Sequence, residues 1–152
     1  MRRHSLLNIA TDYLYLGNME ATQNTIVQFD SIKEAAESVR FRYFNRYQLL
    51  MSEMHLAQGL FKQSIELAQE ARKLAELNKV LKNVAKSHWL EGRALAEMIR
   101  FDEALEHLKR GVELVDEIRH GSLRWKIRLS LAEVLRKAGQ SSEDVIQQVR
   151  NL

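Results

Sequence analysis

Ser87-His88-Trp89-Leu90-Glu91-Gly92-Arg93-Ala94-Leu95, then Ile99-Arg100-Phe101-Asp102-Glu103-Ala104-Leu105, then Leu108-Lys109-Arg110-Gly111-Val112 reads as a helix, a tight turn and a second helix. This stretch decides the fold because its spacing of small and aromatic residues recurs along the chain. Forty residues earlier, Ser52 stands under Gly92, Phe61 under Phe101, Ser64 under Ala104 and Ala71 under Gly111. Forty residues later come Ala132 and Ala138-Gly139-Gln140. A further copy, displaced by 42 from the second, supplies Ala10, Tyr13 and Gly17-Asn18-Met19.

Packing accounts for the pattern. Two antiparallel helices joined by a tight turn approach closely only where a small residue occupies the crossing, and Ala10, Ser52, Gly92 and Ala132 stand at that place. Ser64, Ala68 and Ala71, and again Ala104 and Gly111, give the second helix a small face of its own. Phe61 and Phe101 enter that helix over the turn, and Gly17, Gly59 and Gly139 fall where a left-handed backbone is cheap only for glycine.

Periodicity supports the helices independently. Phe101, Leu105, Leu108, Val112 and Val115 recur at spacings of three and four, as do Leu123, Ile127, Leu131, Leu135 and Ala138. Glu106 and Arg110 form an exposed pair one turn apart, and Ser141 with Asp144 reads as an N-cap. First helices are expected near 5–16, 42–57, 80–98 and 122–138, and their partners near 20–39, 61–77, 101–119 and 142–151. The expected architecture is all-α, a single domain over 1–152 with about eight antiparallel helices in four repeats, at 5–39, 42–77, 80–119 and 122–151.

Composition agrees with that reading. The chain is 45% hydrophobic and 28% charged, the balance of a soluble domain with a core. It has no proline and six glycines, so the punctuation of sheets and linkers is nearly missing. It has no cysteine, which excludes disulfides, thiolate metal sites and cysteine nucleophiles. No apolar run approaches the roughly 20 residues that cross a bilayer, and the expected location is the cytoplasm, with no membrane partner.

The residues point away from an enzyme. The five histidines, His4, His55, His88, His107 and His120, are scattered and read as packing or surface residues, with His55 and His88 half-buried. The pairs Asp102-Glu103, Asp116-Glu117 and Glu143-Asp144 read as surface charge. The glycines never cluster into a phosphate loop. No catalytic residue, cofactor or metal site is expected. The net charge of +3 is too small to argue for nucleic acid, although Arg119, Arg124, Lys126, Arg128, Arg136 and Lys137 face Glu133 alone between 119 and 137.

At Trp89-Leu90-Glu91-Gly92 and Phe101-Asp102-Glu103-Ala104-Leu105 the chain resembles the tetratricopeptide repeat, and the resemblance spans almost its whole length. The period exceeds the usual value of about 34 residues. In this it is similar to the longer repeat arrays of large bacterial signal-transducing and transcriptional regulators, whose first-helix openings Tyr43-Phe44-Asn45-Arg46-Tyr47 and Gly121-Ser122-Leu123-Arg124-Trp125 resemble. The outer repeats depart from the pattern, with Phe29 and Asp144 at normally small sites, as solenoid ends often do.

The resemblance implies a right-handed α-α superhelix whose concave groove, lined by first helices, holds a partner protein or peptide. Carried over residue by residue, the groove contacts would be Tyr15, then Arg46, Leu49 and Glu53, then Lys86, Trp89, Arg93 and Glu97, then Lys126, Glu133, Arg136 and Lys137. The set is net basic with aromatic surface, which suits an acidic partner with an apolar anchor. The lysine and asparagine set with which chaperone-binding members clamp a peptide C-terminus is not reproduced. Two alternatives stand beside this one: nucleic-acid contact through 119–137, and self-association into a homo-oligomeric scaffold through the ends.

Overall fold

The computed structural model describes residues 2–32 and 40–152, with side chains described for 5–29 and 43–152. Among these residues the chain is all-helical: α1 (Arg2–Tyr15), α2 (Met19–Ile32), α3 (Arg40–Ala57), α4 (Phe61–Leu77), α5 (Leu81–Glu97), α6 (Phe101–Glu117), α7 (Gly121–Lys137) and α8 (Glu143–Arg150). The helix ends fall within a few residues of the expected ones wherever they are described. The part of the second helix expected over 33–39 lies outside the described residues. No described helix is long and apolar enough to cross a membrane.

A single turn geometry sets the rhythm. Gly59, Lys79, Ile99, Arg119 and Gly139 all have positive φ, and each lies 20 residues from the next. At each of them the same two hydrogen bonds close the preceding helix: Ile99 N donates to Ala96 O and Arg100 N to Leu95 O, as Gly59 N does to Leu56 O and Leu60 N to His55 O. This is the Schellman arrangement, which satisfies carbonyls that a helix end leaves unpaired. Gly17 repeats it after α1. The three glycines were legible as turn residues. Lys79, Ile99 and Arg119 take the same conformation at φ 55, 62 and 50, although each has a Cβ that opposes it.

Helix α1 packs on α2, each helix from α3 onward packs on the next, and the odd-numbered helices also pack on one another in the order α1, α3, α5, α7. Small residues permit the close approaches. A Cβ added at Gly92 would lie 2.7 Å from Leu108 Cγ and 3.1 Å from the Ala104 carbonyl. One repeat earlier the same crossing is polar: Ser52 Oγ donates to Ser64 O at 2.8 Å and lies 3.1 Å from Ser64 Oγ. Ala68, Ala71 and Ala75 complete the buried face of α4.

Helix α3 divides the core. Its Leu49 and Leu56 join a cluster that runs through α4, α5, α6 and α7, while its Leu50 and Met54 join a second with Leu7, Ala10, Leu14, Ile26 and Phe29. Phe29, unexpected at a small site, is buried and stacks on Tyr47 at 5.4 Å. Buried Asn45 on α3 donates to Ala71 O at 2.7 Å and accepts from Asn83, tying α3 to both α4 and α5. Two sequence details are corrected. The N-cap of α8 is Ser142, not Ser141, and its side chain makes no capping bond. Arg110 turns forward to Glu113 at 2.7 Å rather than back to Glu106.

Two substitutions test these constraints by urea unfolding. Gly92→Ala is expected to lower stability by roughly 1–3 kcal/mol, because the added carbon overpacks a buried crossing. Ile99→Gly is expected to raise it by roughly 0.5–1 kcal/mol, the relief of a β-branched residue at positive φ exceeding the entropy gained by the unfolded chain. Ile99 is 75% exposed, so little contact is lost.

Candidate partner-binding groove

The odd-numbered helices wall an open groove of about 720 Å³. Its lining comes from Leu14 and Tyr15 on α1, Glu53, Leu56 and Ala57 on α3, Trp89, Arg93, Ala96 and Glu97 on α5, and Trp125, Lys126, Leu129, Ser130, Glu133, Val134 and Lys137 on α7, with Gly59 and Phe61 at the turn into α4. Positions 89, 93 and 97 on α5, and 126, 130, 133 and 137 on α7, recur at helical spacing, so each helix turns one continuous face to the groove.

Trp89 forms the floor. Its ring is almost fully buried and its Nε1 donates to Ser130 Oγ at 2.8 Å, joining α5 to α7. The Arg93 guanidinium lies 5.0 Å from the centre of that ring. Across the groove, Lys126 Nζ sits 4.4 Å from the Tyr15 ring centre and 5.7 Å from that of Trp125, so α7 reaches back to the end of α1. Cations over aromatic faces at these distances are attracted to the ring quadrupole. Burial, followed by the Glu53 carboxylate, which also accepts the phenol hydrogen bond, pushes the Tyr15 hydroxyl up to about 12.

The groove's carboxylates already have cations. Lys86 Nζ lies 2.8 Å from Glu53 Oε2, and Lys137 Nζ lies 3.3 Å from both Glu97 and Glu133. Those two carboxylates, Glu133 first, hold the Lys137 ammonium above its usual range. Among the described residues, Arg93 and Lys126 have no such carboxylate partner. They are the cations left to face a ligand.

Of the twelve residues expected in the groove, Tyr15, Glu53, Trp89, Arg93, Glu97, Lys126, Glu133 and Lys137 line it. Four do not. Leu49 is 2% exposed in the core and offers no anchor surface. Arg46 hydrogen-bonds Asn8 Oδ1 at 2.5 Å, Lys86 supports Glu53 from behind, and Arg136 is exposed away from the lining. Sequence reasoning missed Trp125 and Leu129, which are 43% and 45% exposed one helical turn apart and form an apolar ledge at the groove's edge. The signal was present: both are apolar yet fall off the buried stripe Leu123, Ile127, Leu131 and Leu135.

The remaining polar groups also differ from expectation. Asp116, read as a surface charge, accepts from Arg128 at 2.6 Å and from Arg124 at 3.1 Å. Partial burial works against its ionisation, but these two bonds outweigh it and hold the carboxyl below its ordinary range. His88 and His107, scattered in the sequence and read as packing or surface residues, bring their Nδ1 atoms to 3.1 Å on the side of α5 that meets α4 and α6. No group of three or more metal-binding side chains occurs among the described residues.

The Tyr15 environment gives a direct test. Alkaline titration of tyrosinate absorbance is expected to show one step near pH 12 that Tyr15→Phe removes, and the stability that the neutral phenol contributes is expected to be lost as pH rises from 10 through 12. Comparison with known proteins finds no family model that matches the chain and no curated protein that matches it.

Proposed function

We propose that the chain is a protein-interaction module, a tetratricopeptide-like right-handed superhelix of four repeats whose concave groove binds a segment of a partner protein. The observation that carries this reading is the groove itself: an open, 720 Å³ channel with aromatic walls and two cations that lack a carboxylate partner among the described residues. Channels of this size lined by apolar surface and a few fixed polar groups are typical ligand sites. The segment it suits carries an acidic residue for Arg93 or Lys126 and an apolar residue for the Trp125–Leu129 ledge. The resemblance to long-period repeat arrays suggests a place in a bacterial regulatory or signalling protein.

The alternative of a nucleic-acid contact through 119–137 draws less support from the side chains. Arg124 and Arg128 are committed to Asp116, Arg128 is buried, and Lys137 is held by Glu97 and Glu133. Phosphate contact needs cations free to release counterions.

The test is selection of a displayed library of random 12-residue peptides on the full chain, followed by NMR mapping of the best binder. Chemical-shift changes are expected at Tyr15, Trp89, Trp125 and Leu129. Trp125→Ala and Arg93→Gln are each expected to weaken binding tenfold or more, or about 1.4 kcal/mol, with Arg136→Gln as the neutral control. Peptides that map to another face, or the absence of any binder, would overturn the proposal.

A further inference from the structure

Glu91 is the most deeply buried charged group of the molecule's central helix, with a side chain only 1% exposed. It faces away from the groove, into the junction where α5 meets α4 and α6. From α4, Arg72 Nη1 comes within 3.1 Å of Oε1, and from α6, His107 Nδ1 lies 3.7 Å from Oε2. Neither carboxylate oxygen accepts a well-directed hydrogen bond. A buried anion with one off-line cation beside it is an expensive arrangement.

The two imidazoles beside it are constrained by donor and acceptor logic. Arg72 has only donors to give, and its Nη1 lies 3.3 Å from His88 Nδ1, so that nitrogen is an acceptor and has no proton. His107 Nδ1, 3.1 Å from the same atom, must then be the N–H that donates to it. A proton placed on His88 Nδ1 would set three donors against one another. The other charged groups around the cluster, among the described residues, are Glu76 on α4 and Glu103, Glu106, Lys109, Arg110 and Glu113 on α6. Two basic sites of the cluster remain open to a proton, His107 Nε2 and the oxygens of Glu91, and only at Glu91 does protonation remove a buried charge.

We propose that the Arg72–His88–Glu91–His107 cluster is a proton switch at the junction of the second and third helical pairs: with Glu91 ionised, Arg72 bridges α4 to α5, and with Glu91 protonated, that bridge is lost while both imidazoles stay neutral. Burial supports the direction, raising the Glu91 carboxyl to about 7 against the pull of Arg72 and the side chain of Gln69. Burial first, then the charge of Arg72, lowers His88 to about 3, and the same two causes lower His107. Among the described residues a second ion pair crosses this junction, Lys86 on α5 with Glu53 on α3, so the switch alters only one of the two bridges.

Because the folded state holds the Glu91 proton more tightly than the unfolded chain, the Glu91 contribution to stability falls as pH rises from 4.5 through 7. Because folded His88 refuses a proton that the unfolded chain accepts, its contribution is lost as pH falls from 6.5 towards 3.

The experiment is a carboxyl-carbon NMR titration of the full chain labelled at glutamate, between pH 4 and 9, on wild type, Glu91→Gln and Arg72→Gln, with amide exchange of α4 and α5 followed in parallel. In wild type a single resonance with its midpoint near 7 is expected, absent in Glu91→Gln and shifted higher in Arg72→Gln. Exchange across the α4–α5 junction, referred to α7, is expected to slow several-fold from pH 8 to pH 6 in wild type, as protonation removes the buried charge, and not in Glu91→Gln. A Glu91 midpoint near 4.5, imidazole protonation before the carboxyl, or exchange that changes equally in wild type and Glu91→Gln would overturn the proposal. If Glu91→Gln does not fold, the wild-type and Arg72→Gln midpoints decide it alone.

Discussion

The backbone of α5 passes α6 at Gly92 with less room than a methyl group needs, and the rest of the structure is arranged around that approach. At such a separation the Leu108 side chain and the Ala104 carbonyl close directly on the helix, so the dispersion contacts of a dense interior replace those of a loose one. The next contact in the series, Gly111 against Ile127 and the Ala85 carbonyl, is nearly as close and seats α7 in turn. One close crossing therefore sets the next. What lies on the far side of α5, the groove, inherits its width from packing on the near side.

The second constraint is length. Helices α4, α5, α6 and α7 each have 17 residues, and with their three-residue connections each pair returns the chain to the same level every 40 residues. A constant length keeps equivalent positions at equivalent heights, which is why 89 and 93 on α5 meet 126 to 133 on α7 across a single groove. The turns maintain this register even where their sequence opposes it. Ile99 adopts a backbone that a β-branched residue disfavours because helix ends on both sides require the same pair of closing hydrogen bonds.

How much was legible follows from which residues carry a distinctive physical signal. Small residues at helix crossings do, so Ser52, Ser64, Gly92 and Ala104 revealed the repeated helix pairs. Glycine at a turn does as well. Lys79, Ile99 and Arg119 carry none, and their role is visible only in their even spacing between Gly59 and Gly139. On α3 the periodic pattern did not separate Leu49 from Leu50, because that helix is buried on two sides and both leucines are core, each in a different cluster. Trp125 was legible as an aromatic residue but not as an exposed one until the buried stripe of α7 was fixed. His88 and His107 lie 19 residues apart on successive helices, a separation with no local periodicity, so their meeting depends on helix lengths that sequence gives only approximately.

Helix α5 joins these constraints to the groove. Within six residues it presents His88 and Glu91 to α4 and α6, Trp89 and Arg93 to the groove, and Gly92 to the closest crossing. No turn of this helix is free to adjust without disturbing one of the three surfaces, since 88, 91 and 92 are held from behind while 89 and 93 shape what a partner would meet. A change of charge at Glu91 is therefore felt on a helix whose other side is the groove floor. Coupling between the two faces would need no extended pathway: one rigid element, packed on both sides, has a titratable group on one face and groove-lining residues on the other.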